Sequence, residues 1–285
     1  MVLLNILIKP VWILIESEVQ NEIGHKGFGL FSTLFALTSI FAVFADFGIS
    51  QHATKRVAAD PSYMGSFFPV LFPVKSILAV LFPALIVLYG WVLQYSPKEL
   101  YLLTFIAFSF SITQYILFLR GTLQAQQQFN LDAWASVLDK LVLVLLLVLL
   151  FWLGLNLELY VYARTASVVL AFAIMYWIIY RIIGKVKYKW QWPQVKQIFR
   201  ESLPFAVITL VYGINERVDV VMLERLYSDH EAGIYTAAYR WVDAIMMYLW
   251  TILPIFFAKF ALNIANKPEQ KKLLDFGQLI VAVPS

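Results

Sequence analysis

Residues 201–244, ESLPFAVITLVYGINERVDVVMLERLYSDHEAGIYTAAYRWVDA, hold two apolar runs of membrane length, and each run carries charge. Arg217 and Asp219 lie in the first, Arg240 and Asp243 in the second. A charge inside a lipid-spanning helix is costly, so it faces a bundle interior or a watery cavity. The stretch therefore reads as part of a helical membrane protein with a polar chamber, not as a simple anchor.

The composition supports that reading along the rest of the chain. Of 285 residues, 61% are hydrophobic and 14% are charged, whereas a soluble domain has about 45–50% and about 25%. The chain has no cysteine, which excludes disulfides and thiolate metal sites. His25, His52 and His230 all fall in expected loops with no pairing for a metal. The start, MVLLNILIKPVWILI, is interrupted by Lys9 and Pro10 and lacks a small-residue cleavage site, so it is not read as a signal peptide.

A helix needs about 20 mostly apolar residues to cross the hydrocarbon core. Seven segments qualify: 28–50, 67–93, 100–119, 136–155, 160–180, 203–226 and 233–257. Residues 2–15 are apolar but too short to span, and 277–285 begins a further run. Counting the first of these two gives about eight transmembrane helices in an all-α, polytopic fold. The runs are solid, as in LVLVLLLVLLFWLGL (141–155), and not alternating as β-barrel strands are. With the N-terminus cytoplasmic, thirteen basic residues fall in inner loops against three (Lys26, Lys98, Arg225) in outer ones, which the positive-inside rule favours. The longest loop, RIIGKVKYKWQWPQVKQIFR (181–200), interleaves lysines with Tyr188, Trp190 and Trp192 and suits an anionic inner-leaflet surface.

In that topology the four charges of the opening stretch lie at similar depth, about 10–15 Å below the outer helix ends. Arg217 is placed to face Asp243 and Asp219 to face Arg240; Arg240 and Asp243 also share a helix face. A structural ion-pair cluster and an arginine open to the chamber are both consistent with this. An exposed arginine suits phosphate because its planar donors engage oxygens bidentately. Asp46, in FADFGIS (44–50), reads as a local structural group at a helix end or as a proton carrier. Lys75 is expected to snorkel or to line the cavity, Asp139 and Lys140 to mark an inner helix boundary, and Arg164 to snorkel outward. No P-loop, dinucleotide fingerprint, HExxH or DDxxD-like cluster occurs, so an enzyme is not expected and no cofactor, metal or nucleic acid is called for.

At these residues the chain resembles the polysaccharide flippases of the multidrug/oligosaccharidyl-lipid/polysaccharide exporter superfamily, the translocases of O-antigen and capsule repeat units. The stretches that carry the resemblance are KPVWILIESEVQNEIGHKGFGLF (9–31), DFGIS (46–50), LRGTLQAQQQF (119–129), SVLDKLVLVLL (136–146), ESLPF (201–205), RVDVVMLERL (217–226) and AGIYTAAYRWVDA (232–244). The resemblance implies two six-helix lobes of the MATE-like fold in a bacterial inner membrane. It implies a central cavity that alternates between inward and outward openings. The cargo it implies is an undecaprenyl-pyrophosphate-linked oligosaccharide, with glycan polymerases or glycosyltransferases as protein partners. It places the cargo's anionic groups near Arg217 and Arg240, with Arg120, Lys140 and Arg164 as further candidates and Asp219, Asp243 and Asp46 as charge-pair or coupling groups. On this reading 1–183 is the first lobe with its first helix clipped, 184–200 is a basic interfacial loop, and 201–285 begins the second lobe, so the chain is expected to be part of a longer transporter. The alternatives are a drug/cation antiporter of the same superfamily, which calls for a more acidic cavity, and a polytopic enzyme of glycan or lipid synthesis.

Overall fold

The computed structural model describes residues 2–59, 63–125, 128–183 and 188–242, together with 271, 272, 274, 275 and 277. Among them the chain is helical, with no strand. The helices are α1 (Val2–Ile40), α2 (Val43–Asp46), α3 (Ile49–Ala59), α4 (Tyr63–Val92), α5 (Pro97–Ala125), α6 (Phe129–Leu153), α7 (Leu157–Ile183) and α8 (Trp192–Leu226); α9 follows at 229–242. Four of these contain stretches long and apolar enough to cross a membrane, Phe67–Val92, Pro97–Gln124, Leu131–Leu153 and Leu157–Arg181. The protein is a multi-pass membrane protein.

The expected first segment, judged too short at 2–15, is helical backbone as far as residue 23. At about 1.5 Å per residue that is roughly 33 Å of helix, about the thickness of a hydrocarbon core. The polar residues that ended the apolar run, Glu16, Ser17 and Gln20, find partners in α9 instead of water. The chain turns at Gly24, whose φ of 74° and ψ of 161° are available to glycine at little cost. The expected second pass, 28–50, lies within a helical run from 25 to 59 that is interrupted twice. At the second interruption Phe47 is left-handed (φ 52°) and precedes Gly48, and Asp46 accepts the Ser50 amide at 3.1 Å to open α3.

Three prolines interrupt α4 without breaking it. A proline inside a helix leaves the carbonyl four residues before it without a donor, and a bundle supplies the donor from a neighbour. Pro73 frees the carbonyl of Pro69, which accepts the Lys189 amide at 2.8 Å. Pro83 frees that of Ala79, which accepts the Ser111 hydroxyl at 2.7 Å. These two bonds tie α4 to the segment before α8 and to α5.

The stretch expected as a loop at 184–200 becomes helical at Trp192. Pro193 stands at the start of α8, where its fixed φ and missing N–H cost nothing. The expected span 203–226 thus lengthens to one helix of 35 residues. The two largest apolar clusters fill most of the bundle. One is centred on Phe28, Phe31, Phe82 and Tyr160, the other on Phe68, Phe72, Phe118 and Met175. The outward faces of α4 and α6 carry Leu81, Trp91, Leu145 and Trp152, exposed where lipid replaces water.

Candidate functional site

Polar groups inside this bundle sort into those neutralised by a partner and those left in a cavity. Asp46 and Lys75 are neutralised. Lys75 of α4 donates to the Asp46 carboxylate and, at 3.4 Å, to the Ala45 carbonyl at the end of α2. It neither lines the cavity nor snorkels. Arg120 is also paired, its Nε donating to Asp132 at 2.7 Å, while Gln124 donates to the other carboxylate oxygen at 2.9 Å. Asp132 is fully buried, and the sequence reading passed over it. Its signal was available, since a hairpin between α5 and α6 brings 120 and 132 level across the turn.

Arg240 lies in α9 against α1. Its guanidinium donates to Ser17 Oγ at 2.8 Å and to Gln20 Oε1 at 3.0 Å, sits 3.7 Å from Glu16 and covers the Phe28 ring at 5.0 Å. The expected partner Asp219 is held elsewhere, accepting the Tyr235 hydroxyl and the Val220 amide. Arg240 therefore fastens α9 to the first pass of the chain. Helical register gives its depth but not its azimuth, so its partners on α1 are not legible from the sequence alone. Arg217 is half-buried on α8 and engaged. Asp243 lies outside the described residues.

The remaining candidates, Lys140 and Arg164, meet in one cavity. It measures about 140 Å³ and is walled by Phe35 of α1, Ser109 and Thr113 of α5, Asp139 and Lys140 of α6, and Arg164 and Ser167 of α7. Asp139 and Lys140 mark no helix boundary. α6 starts at Phe129, which puts them about 15 Å along it. Arg164 does not snorkel outward. It lies over the rings of Phe35 at 4.9 Å and Phe31 at 5.4 Å, and reaches the Tyr160 hydroxyl at 3.5 Å. No carboxylate of the described residues forms an ion pair with Arg164 or Lys140. Two cations and the Asp139 carboxylate leave the cavity with net positive charge.

The histidines expected in loops are helical: His25 in α1, His52 in α3 and His230 in α9. His25 and His230 meet edge to face with centroids 5.7 Å apart. His52 is buried 3.5 Å from Glu201. Among the described residues no group of three or more His, Asp or Glu side chains is set to hold a metal.

The sequence profile of a family described as "Polysaccharide biosynthesis protein" matches residues 1–257. The chain belongs to this polysaccharide biosynthesis family. Its fold is similar to that of a solved structure described as the inward-facing conformation of a multidrug resistance MATE family transporter of the MOP superfamily. That similarity has a TM-score of 0.59 at 17% identity and covers 98% of this chain. The chain spans 66% of that structure's length. Among curated proteins none matches. The all-helical, MATE-like fold expected from the sequence is the fold this member of the polysaccharide biosynthesis family adopts.

Proposed function

We propose that the chain is part of a transporter that moves an undecaprenyl-pyrophosphate-linked oligosaccharide between membrane leaflets by alternating access. The observation that carries this reading is the net positive cavity of Lys140, Arg164 and Asp139, held within the membrane while Asp46 and Asp132 are neutralised by dedicated cations. A cation left without a carboxylate in low dielectric is stabilised by an incoming anion, and phosphate suits both side chains. Membership of a polysaccharide biosynthesis family supports a glycan-bearing cargo, and the MATE-like fold supports translocation around a midplane site. In such a cycle the cargo's pyrophosphate enters near Lys140 and Arg164, while Arg240 holds α9 on the first helix. The rocking of one helical bundle against another exposes that cavity to each side in turn. A drug/cation antiporter calls for an excess of carboxylates in the cavity.

In cells that depend on this protein for surface glycan, Arg164→Ala and Lys140→Ala are each expected to abolish glycan export while the protein inserts normally. Full export by both variants would overturn the reading.

A further inference from the structure

We propose that one face of α8 binds an acidic phospholipid, with Lys196 and Arg200 on its phosphate and an apolar stripe along an acyl chain. The site lies at the start of α8, beside Arg56 of α3.

Lys196 and Arg200 border an open groove of about 590 Å³ together with Pro193, Gln197 and Glu201. Glu201 is the acid of that groove, and it is already engaged. Arg56 of α3 donates to it at 2.6 Å and Gln197 at 2.9 Å. Lys196 and Arg200 have no carboxylate partner among the described residues. The groove thus offers two uncompensated cations one helical turn apart, a spacing that a single phosphate can bridge.

The same face continues as hydrocarbon. Positions 196, 200, 203, 207 and 211 advance by three or four residues and so lie along one side of α8. Leu203, Val207 and Val211 are 50%, 53% and 61% exposed. A cation pair followed at once by a bulky aliphatic stripe matches a phospholipid, headgroup first and acyl chain after. The other side of α8 has the opposite character. Ser202, Ala206 and Gly213 let the backbone of 39–50 approach closely, with Gly213 lying against the Ser39 carbonyl. Small residues mark the helix–helix seam in membranes, so the bulky stripe is the lipid side.

The level of the site in the bilayer is also set. Tyr188, Trp190 and Trp192 are exposed beside it, and the two tryptophans meet edge to face at 5.4 Å. Such rings settle at the headgroup level. Their segment is tied to α4 by the Lys189 amide, which donates to the Pro69 carbonyl.

Two measurements test this. The first is native mass spectrometry of the purified chain in mixed phosphatidylglycerol and phosphatidylcholine. The native chain is expected to retain phosphatidylglycerol preferentially, and Lys196→Ala and Arg200→Ala are each expected to lower that preference about five-fold. An unchanged preference in the double variant overturns the proposal. The second uses the absence of cysteine from the chain. A spin label on Val207→Cys in bilayers is expected to be mobile and accessible to oxygen. A label that is immobile and shielded shows a protein helix on the stripe and overturns the proposal even if both cations bind phosphate.

Discussion

Lys75 of α4 and Asp46 of α2 form a single ion pair at the break in the second pass, with 1% and 6% of their side chains exposed. Asp46 also binds the amide and hydroxyl of Ser50, while the Lys75 ammonium binds the Ala45 carbonyl and lies 5.7 Å from the Phe118 ring. The pair thus closes the end of α2, opens α3 and fastens both to α4. Removing one partner leaves a buried charge alone, which costs about 3–5 kcal/mol. Lys75→Met and Asp46→Leu are each expected to lower stability by that order in thermal unfolding in detergent. The double variant is expected to recover most of the loss. Two additive losses would show that the groups do not act as a pair.

Pro83 and Ser111 form a second coupled pair through the Ala79 carbonyl. Ser111→Ala leaves that acceptor without a donor and is expected to cost about 1 kcal/mol. With Pro83→Ala the helix supplies its own amide, so Ser111→Ala in that background is expected to be close to neutral. Equal losses in the two backgrounds would refute the link.

Gly29 and Gly233 mark the closest approach of the second pass to α9. A Cβ on Gly29 would fall on the Asp229 carbonyl, and one on Gly233 on the His25 carbonyl. Alanine at either position must separate the helices, a backbone shift that no rotamer relieves. Gly27, two residues before Gly29, would meet only the Ile23 side chain at ordinary contact distance. Gly29→Ala and Gly233→Ala are expected to lower the melting temperature markedly, and Gly27→Ala to leave it nearly unchanged or to raise it.

His52 sits beyond the expected cytoplasmic end of its span, beside Glu201. Burial, helped by Arg56 and Lys55 and opposed by Glu201, holds its pKa below 6.5. The unfolded chain then takes up the proton at a higher pH than the folded one. Stability is full above pH 6.5 and is lost as pH falls from there through the lower folded value. Unfolding followed from pH 8 to pH 5 is expected to show this loss in the native chain and a smaller one in His52→Gln. Identical profiles would show that His52 does not set the acid sensitivity.

Whatever depends on runs of neighbouring residues was legible before the structure. The apolar lengths between 67 and 180 gave the passes, because crossing hydrocarbon demands a continuous stretch whose backbone bonds close within the helix. Asp46 is legible only as a polar group near a helix end; that the helix breaks there and resumes at Ile49 is a product of the tertiary contacts with Lys75 and Ser50. The first helix runs on past its apolar stretch because hydropathy counts Glu16, Ser17 and Gln20 as boundary residues, and only the position of Arg240, more than 200 residues away, gives them partners inside the bundle. Asp132 and Lys75 show the same limit. A charge read alone has a depth, and its role is fixed by the residue across from it. Sequence by itself determined that this chain is a helical membrane protein with basic residues in its interior. The tertiary structure decided which of those residues are held by carboxylates and which meet in a cavity, because charge pairing in low dielectric depends on separations of a few ångströms between helices that the sequence does not record.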